Sequence, residues 1–494
     1  MQGIKMRYFI GGVLMALSSQ LPAETLQPDP AWQQGKLDNG FSWQLLQTPQ
    51  RPNDRIQLRL VIKAGSMVET ASQRGFTYLI PKMALFHSKT LSSSQLQQLW
   101  HNAIDPAAPI PPAIVSYDVT LYNLSLPNNR PELLKEALQW LAGSAAGGQF
   151  DKKSLMMITQ LPKNLVVTHP ANVKDPLWRA RIRGSTLIGH EPGAMPVTPV
   201  KLEEINKFVQ QWYTPDIMTL YVAGHVDSRT LTENINQVFS TLNGKRSMPV
   251  TMATLPVLTP QIINLTSLDP AKDILSLTWD FGWRTINDSE MLKRYWRDDL
   301  ARETIFRSIK QTFDKKYGKA VGLNMDCRIQ YQRASCALLV SAAPEKMKSV
   351  TEGLLAELSA INNKGVSRAI FEQIVQEKQQ QLDQLFAAYA RVSTDILINQ
   401  RLISQQNGVI DIAPEQFQRL RQAFLAELTL AVITEDAKRL VAQEPTFILS
   451  QPVDKKRLDI AQIRNKFKQV LWSAVTTSAT EQEVNEGSPV TRAN

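Results

Sequence analysis

"FVQQWYTPDIMTLYVAGHVD", residues 208–227, is the stretch from which the fold can be read. A helix expected over 202–212 ends inside it. "IMTLYVAG" (217–224) then reads as a strand, and a second helix is expected over 228–240. A helix, a strand and a helix in such close succession point to a mixed layer of sheet and helices, so the question becomes what the strand pairs with.

Upstream, "KLDNGFSWQLLQ" carries a DNG turn followed by Phe41, Trp43 and Leu45 at period two, a hairpin signal. "RIQLRLVIKAG" alternates Ile56, Leu58, Leu60 and Ile62, and "IVSYDVTLYNLSL" (114–126) alternates again. Helices are expected near 76–87, 94–103 and 151–161. A further helix in "NNRPELLKEALQWLAG" opens at Pro131 and closes at Gly143. Downstream, "GKRSMPVTMATLPVLTP" (244–260) has three prolines and no helical period, which marks a linker.

After the linker the order restarts. Strands are expected at 261–266 and 273–280, a long helix at 289–313 and a strand pair at 320–342. Helices follow near 346–361, 367–400 and 429–442, and the strand 446–451 closes the half. The two halves share one order of elements. The fold expected is therefore a duplicated α+β unit, each copy a mainly antiparallel sheet packed with helices.

The chain has 494 residues, more than one ordinary core, with 43% hydrophobic and 20% charged residues. The net charge of +10 is spread along it, without basic runs interleaved with aromatics, so no nucleic-acid partner is expected. No internal apolar run suggests a membrane span. Lys5 and Arg7, an apolar core from about Tyr8 to Leu17 and small residues up to Ala23 read as a secretory signal peptide, residues 1–23. The domains expected are 24–247 and 261–472, with a linker at 248–260 and a disordered tail at 473–494.

The two cysteines, Cys327 and Cys336, flank a turn around Tyr331 and Gln332. They fall opposite each other across the expected strand pair. In an exported protein that placement favours a structural disulfide over two free thiols. A separation of nine positions is too wide for a CxxC redox motif.

"LDNG", "AGSMVE", "RGFTYLIPKMA", "FDKKSL", "GSTLIGHEPG" and "FVQQWYTPDIMTLYVAGHVD" resemble, in this order, segments of the pitrilysin/insulinase family of zinc peptidases. "NKGVSRAIFEQI" is similar to the matching segment of that family's second half. The resemblance covers essentially residues 30–470 and implies two homologous domains of the mitochondrial-processing-peptidase type, facing each other across a cavity. It also implies a zinc helix of the form H-x-x-E-H, in which two histidines share a helix face and the glutamate activates the metal-bound water.

Anchored on Gly75 and Met83, this sequence places Tyr78 at the first histidine, Pro81 at the glutamate and Lys82 at the second histidine. None can do the work the family requires. A phenolate is rarely a zinc ligand, proline has no ionisable group, and an ammonium offers the metal no lone pair. The third ligand of the family is a glutamate on a later helix, yet no carboxylate occurs between Asp151 and Asp175, and Pro162 breaks the helical pattern. The five histidines, His87, His101, His169, His190 and His225, contain no i, i+4 pair. "GSTLIG" lacks the spacing of a nucleophile elbow, and there is no phosphate-binding glycine loop.

Active relatives grip an extended peptide along a sheet edge matching residues 104–118. Here Pro106, Pro109, Pro111 and Pro112 remove donors from that stretch, which blunts an edge. The arginine and tyrosine with which the family positions substrate are not recognisable in the second half. The resemblance thus implies a periplasmic homologue without zinc or any other cofactor. Its role would be to bind protein or peptide, or to join a homo- or hetero-oligomer with an active family member. The alternatives are a metallopeptidase with a rearranged metal site and a peptide-holding chaperone.

Overall fold

The computed structural model describes residues 23–472 apart from 52, 148–150, 152–153, 157–164, 170–174, 197–198, 250, 268–270 and 453–457. The signal-peptide and tail assignments, and most of the expected helix at 151–161, lie outside the described residues.

Gly40 turns the chain in the left-handed region at φ 94°, and Asn39 accepts the Phe41 N–H, so β1 (Trp32–Lys36) folds back on β2 (Ser42–Gln47) as the DNG signal requires. The first half continues with β3 (Ile56–Ile62), α1 (Phe76–Ala84), α2 (Ser93–Ala103), β4 (Ala113–Val115), β5 (Thr120–Leu126) and α3 (Pro131–Ala145). Then come β6 (Val166–Thr168), α4 (Pro176–Arg181), α5 (Leu202–Trp212), β7 (Met218–Gly224) and α6 (Ser228–Phe239).

The second half holds β8 (Ile262–Thr266), β9 (Asp273–Gly282), α7 (Ser289–Tyr317), β10 (Gly322–Gln330), β11 (Arg333–Ala342) and α8 (Pro344–Lys364). It ends with α9 (Arg368–Asp383), α10 (Leu385–Arg391), α11 (Thr394–Asn407), α12 (Pro414–Glu427), α13 (Leu430–Val441), β12 (Thr446–Gln451) and α14 (Ile460–Phe467). The single helix expected over 367–400 is three, broken at Gln384 and again at Val392–Ser393, where the backbone turns extended. The expected strand 114–126 is a hairpin, because Ser116–Val119 forms a turn between β4 and β5. The helix expected to reach residue 87 stops at Ala84.

The sheets run β1-β2-β7-β3-β5-β4-β6 and β10-β11-β9-β12-β8. Five strands of each correspond in order and direction. β2 pairs with β7 in parallel as β8 does with β12, and the β7-β3-β5-β4 pairings are antiparallel like β12-β9-β11-β10. This shared topology is the duplication that the order of elements foreshadowed.

The first half adds β6, which pairs in parallel with β4 through Ala113↔Val166 to Val115↔Thr168. The expectation of a proline-blunted edge at 104–118 is therefore corrected. β4 is not an edge, since the chain covers it with its own strand. The prolines before it also have a local role, as Asn123 donates to the Pro111 and Pro112 carbonyls.

The two halves touch directly. The segment from Glu24 crosses to the second half, where Leu26 N donates to Asn287 O and Asp29 N to Asp411 O. α11 lies on the outer face of the first sheet and buries Leu397 and Ile398 against Trp32, Leu46, Tyr221 and Ala223. Gln57 and Arg59, polar positions in the alternation of β3, are consequently buried. Arg59 donates to the Leu58 and Leu124 carbonyls at 2.9 and 3.1 Å and to Gln57 Oε1 at 3.0 Å. Burial pulls its pKa down to about 10.

Cys327 and Cys336 are directly opposed in the β10–β11 register and are bonded, with Cα atoms 4.0 Å apart. The bond closes a short loop, so reducing it should lower the unfolding free energy by about 2–3 kcal/mol through chain entropy. Urea unfolding with and without reductant checks this, and coincident curves would contradict it.

Candidate functional site

Helix α1 is where the sequence places the family's metal motif. All nine of its residues are buried. Gly75 starts it in the left-handed region at φ 94°, and a side chain there would meet Ala194 O at 2.5 Å. Glu69 satisfies the first turn. Its carboxylate accepts from Gly75 N at 2.9 Å, from Thr77 N at 2.7 Å and from Thr77 Oγ1 at 2.6 Å. Burial raises the Glu69 pKa against the pull of these donors. The flank is tied down by His190, whose Nδ1 lies 3.1 Å from Ser66 O, and by an ion pair of Arg74 with Glu191 at 2.7 Å.

On this helix Tyr78 and Lys82 are four residues apart and share one face, with Lys82 Nζ 5.6 Å from the centre of the Tyr78 ring. Pro81 sits inside the helix, where it supplies no N–H to the preceding turn. Burial also raises the Tyr78 pKa. A phenol, a pyrrolidine ring and a lysine amine are not the thiolate, imidazole and carboxylate donors that zinc takes. Among the described residues no three His, Cys, Asp or Glu side chains gather as a metal site requires. The later stretch expected to lack the third ligand lies largely outside the described residues.

The five histidines fall at separate places. His87 follows α1, His101 is on α2, His169 follows β6, His190 is beside Ser66 and His225 follows β7. Of the adjacent carboxylates Glu203–Glu204 and Asp298–Asp299, Glu203 is paired to Lys207 at 2.8 Å and Asp298 to Arg439 at 2.5 Å.

The polar constellation that sequence reading missed lies between the halves. The Asp280 side chain is 0% exposed. It accepts from Arg181 Nη2 at 2.7 Å, from Arg333 Nη2 at 2.6 Å and Nε at 3.1 Å, and from Leu258 N at 2.9 Å. Arg181 comes from α4, Leu258 from the linker, and Asp280 and Arg333 from β9 and β11, so one carboxylate ties three parts of the chain. Beside it, Tyr331 at the tip of the β10–β11 hairpin packs on Tyr117 and Trp178, with ring centres 5.8 and 6.3 Å apart. Ala253 and Leu255 of the linker are buried in the same cluster. The linker is thus packed between the halves, pinned by Leu255 N on Tyr331 O and by Arg181 on Pro256 O. Long-range pairs such as Arg181 with Asp280 leave no short-range signal in the sequence.

A duplicated α+β unit with a buried motif helix in its first copy defines a peptidase-like architecture, and the chain belongs to the insulinase family, peptidase family M16. Residues 46–187 match the family's insulinase domain, and residues 199–378 match the domain described as the peptidase M16 inactive domain. The chain is 42% identical to the protein YhjJ of Escherichia coli K12 over 98% of both chains. It is similar in structure to a predicted insulinase family protease from Yersinia pestis, with a TM-score of 0.89, 48% identity, and coverage of 94% of this chain and 100% of that one. It also shares its fold with the periplasmic protease PqqL of Escherichia coli, at a TM-score of 0.72 and 17% identity, covering 95% of this chain and 52% of that one. No helix among the described residues is long and apolar enough to cross a membrane.

Proposed function

We propose that this chain is a non-catalytic insulinase-family protein of the periplasm that acts by binding a protein or peptide, as a scaffold or partner subunit. The observation that carries this reading is the buried helix α1. It keeps its Gly75 entry and Glu69 cap but presents Tyr78, Pro81 and Lys82 where the family motif places two histidines and a glutamate. Among the described residues the helix and the sheet beside it are regular, which supports a change confined to the chemistry. Loss of zinc follows from the same residues. The periplasmic location rests on the leader-like residues 1–23 and on the likeness to PqqL.

Metal analysis of protein purified without chelators should find no stoichiometric zinc and no chelator-sensitive peptide hydrolysis. One tightly held zinc per chain with chelator-sensitive cleavage would overturn the reading in favour of a rearranged metal site. The triple variant Tyr78→His, Pro81→Glu, Lys82→His should remain a poor hydrolase, because zinc peptidases need a third protein ligand. Efficient cleavage by that variant would show that a third ligand is present and that the reading of residues 152–174 is wrong.

A further inference from the structure

We propose that the outer edge of β10 is a self-complementary surface through which two copies of this chain pair, joining their two five-stranded sheets into one. β10 is the counterpart of β4, and both are followed by a hairpin to the next strand of their sheet. In the first half that edge is closed by β6. In the second half, among the described residues, no strand lies outside β10.

The edge is long and regular. Its register with β11 runs without a bulge from Gly322↔Ser341 to Gln330↔Arg333, and it contains neither proline nor lysine. Gly322, Asn324, Cys327 and Arg328 are exposed. Natural edges of this kind are ordinarily blunted or paired.

The backbone fixes which groups point outward. Tyr331 and Gln332 form a two-residue turn at φ 46° and 63°, so Gln330 and Arg333 are its closing hydrogen-bonded pair. Even-numbered residues of β10 then bond to β11, while Leu323, Met325, Cys327 and Ile329 direct their N–H and C=O outward. The Cα separation of 4.0 Å at Cys327–Cys336 fits the non-bonded class of pair.

Place a second β10 antiparallel on this edge with the two-fold axis at Cys327. The outward-bonding residues meet each other, as pairing requires. Asp326 of each copy falls opposite Arg328 of the other, Met325 opposite Ile329 and Asn324 opposite Gln330. Charge meets opposite charge twice, apolar meets apolar and amide meets amide. Within one chain Arg328 already reaches Asp326 at 2.7 Å on the same face, so the pair only has to exchange partners. A sequence that reads as its own complement about one residue suits a second copy better than an unrelated peptide, and a two-fold interface is self-complementary by necessity.

This deepens the association part of the proposed function, but it does not depend on the state of the metal motif. Light scattering and sedimentation equilibrium on the full exported chain should show a dimer. Asp326→Arg and Arg328→Asp should each weaken self-association about ten-fold or more, since each puts two like-charge pairs across the axis. The double variant should recover to within about three-fold of the unaltered protein. As an independent readout, Cys336→Ser frees Cys327, whose Cα would lie about 5.5 Å from its mate, inside the disulfide range of about 4.4–6.8 Å. Mild oxidation should then yield a covalent dimer linked through Cys327. A monomer at high concentration, or a dimer indifferent to both single variants and uncrosslinked at Cys327, would overturn the proposal. Either result would leave the non-catalytic reading standing, because zinc content decides that separately.

Discussion

Replacing Asp280 by alanine should lower the unfolding free energy by about 3–5 kcal/mol, because it strips the shared acceptor from two guanidinium groups already withdrawn from water. The side chains of Arg181 and Arg333 are only 12% and 15% exposed, and Asp280 itself is 0% exposed. Burial already lowers the Arg181 pKa, with Asp280 opposing that shift. Removing the carboxylate leaves two neighbouring cations facing each other and leaves the Leu258 N–H without its acceptor. Asp280→Asn should lose less, since its amide oxygen can still accept from one partner. As a control, Glu233→Ala should cost almost nothing, because its pair with Arg229 is 65% and 88% exposed. Urea unfolding followed by tryptophan fluorescence measures all three. An Asp280→Ala loss no larger than that of Glu233→Ala would show that the carboxylate does not hold the halves together.

The elements built on strong local rules were legible in the sequence. The DNG turn, the strand 217–224 and the Pro131 helix start all follow from short-range chemistry, and each lies where the pattern puts it. The breaks in 367–400 were not legible. Helical periodicity runs through Gln384, and the second break at Val392–Ser393 places α11 on the other half's sheet, a tertiary demand. The same contact is beyond what the alternation in β3 can show. Alternation correctly gave Ile56, Leu58, Leu60 and Ile62 as core, but a period of two cannot show that a helix from 340 residues away covers the other face as well.

The candidate site divides along the same line. Tyr78, Pro81 and Lys82 lie on one helix, as a local helical spacing leads one to expect, and Cys327 and Cys336 are bonded because a hairpin register is local too. Glu69 could have been found, since it stands in "AGSMVE", six residues before the helix start it caps. Asp280, Arg181 and Arg333 could not, as nothing near any of them marks a partner about 50 or 100 residues off. The covered edge at β4 was missed for a related reason. β6 is three residues long and pairs across an interval with no strand pattern of its own.

Tyr331 should be the second costly position, and the backbone makes its test specific. Tyr331→Ala should destabilise by about 2–4 kcal/mol, a range below that of a fully buried aromatic because the ring is only partly enclosed. The ring is held edge-on to Tyr117, at an interplanar angle of 88°, and against Trp178. Tyr331 also sits at φ 46°, where a residue with a Cβ is strained and glycine is not. Tyr331→Gly loses the same ring but relieves that strain by about 1 kcal/mol. The expected order of stability is therefore the unaltered chain, then Tyr331→Gly, then Tyr331→Ala. A purely side-chain account gives the two variants equal losses, and a purely local turn account makes glycine the most stable of the three. The pH profile adds an independent check. Burial raises the Tyr331 phenol above its ordinary value of 10.0. Its contribution is then fully present below that value and is lost as the pH rises, because the unfolded chain ionises first. In Tyr331→Phe this part of the alkaline decline should be missing. An unchanged decline would mean that the hairpin tip is not seated between Tyr117 and Trp178 in solution.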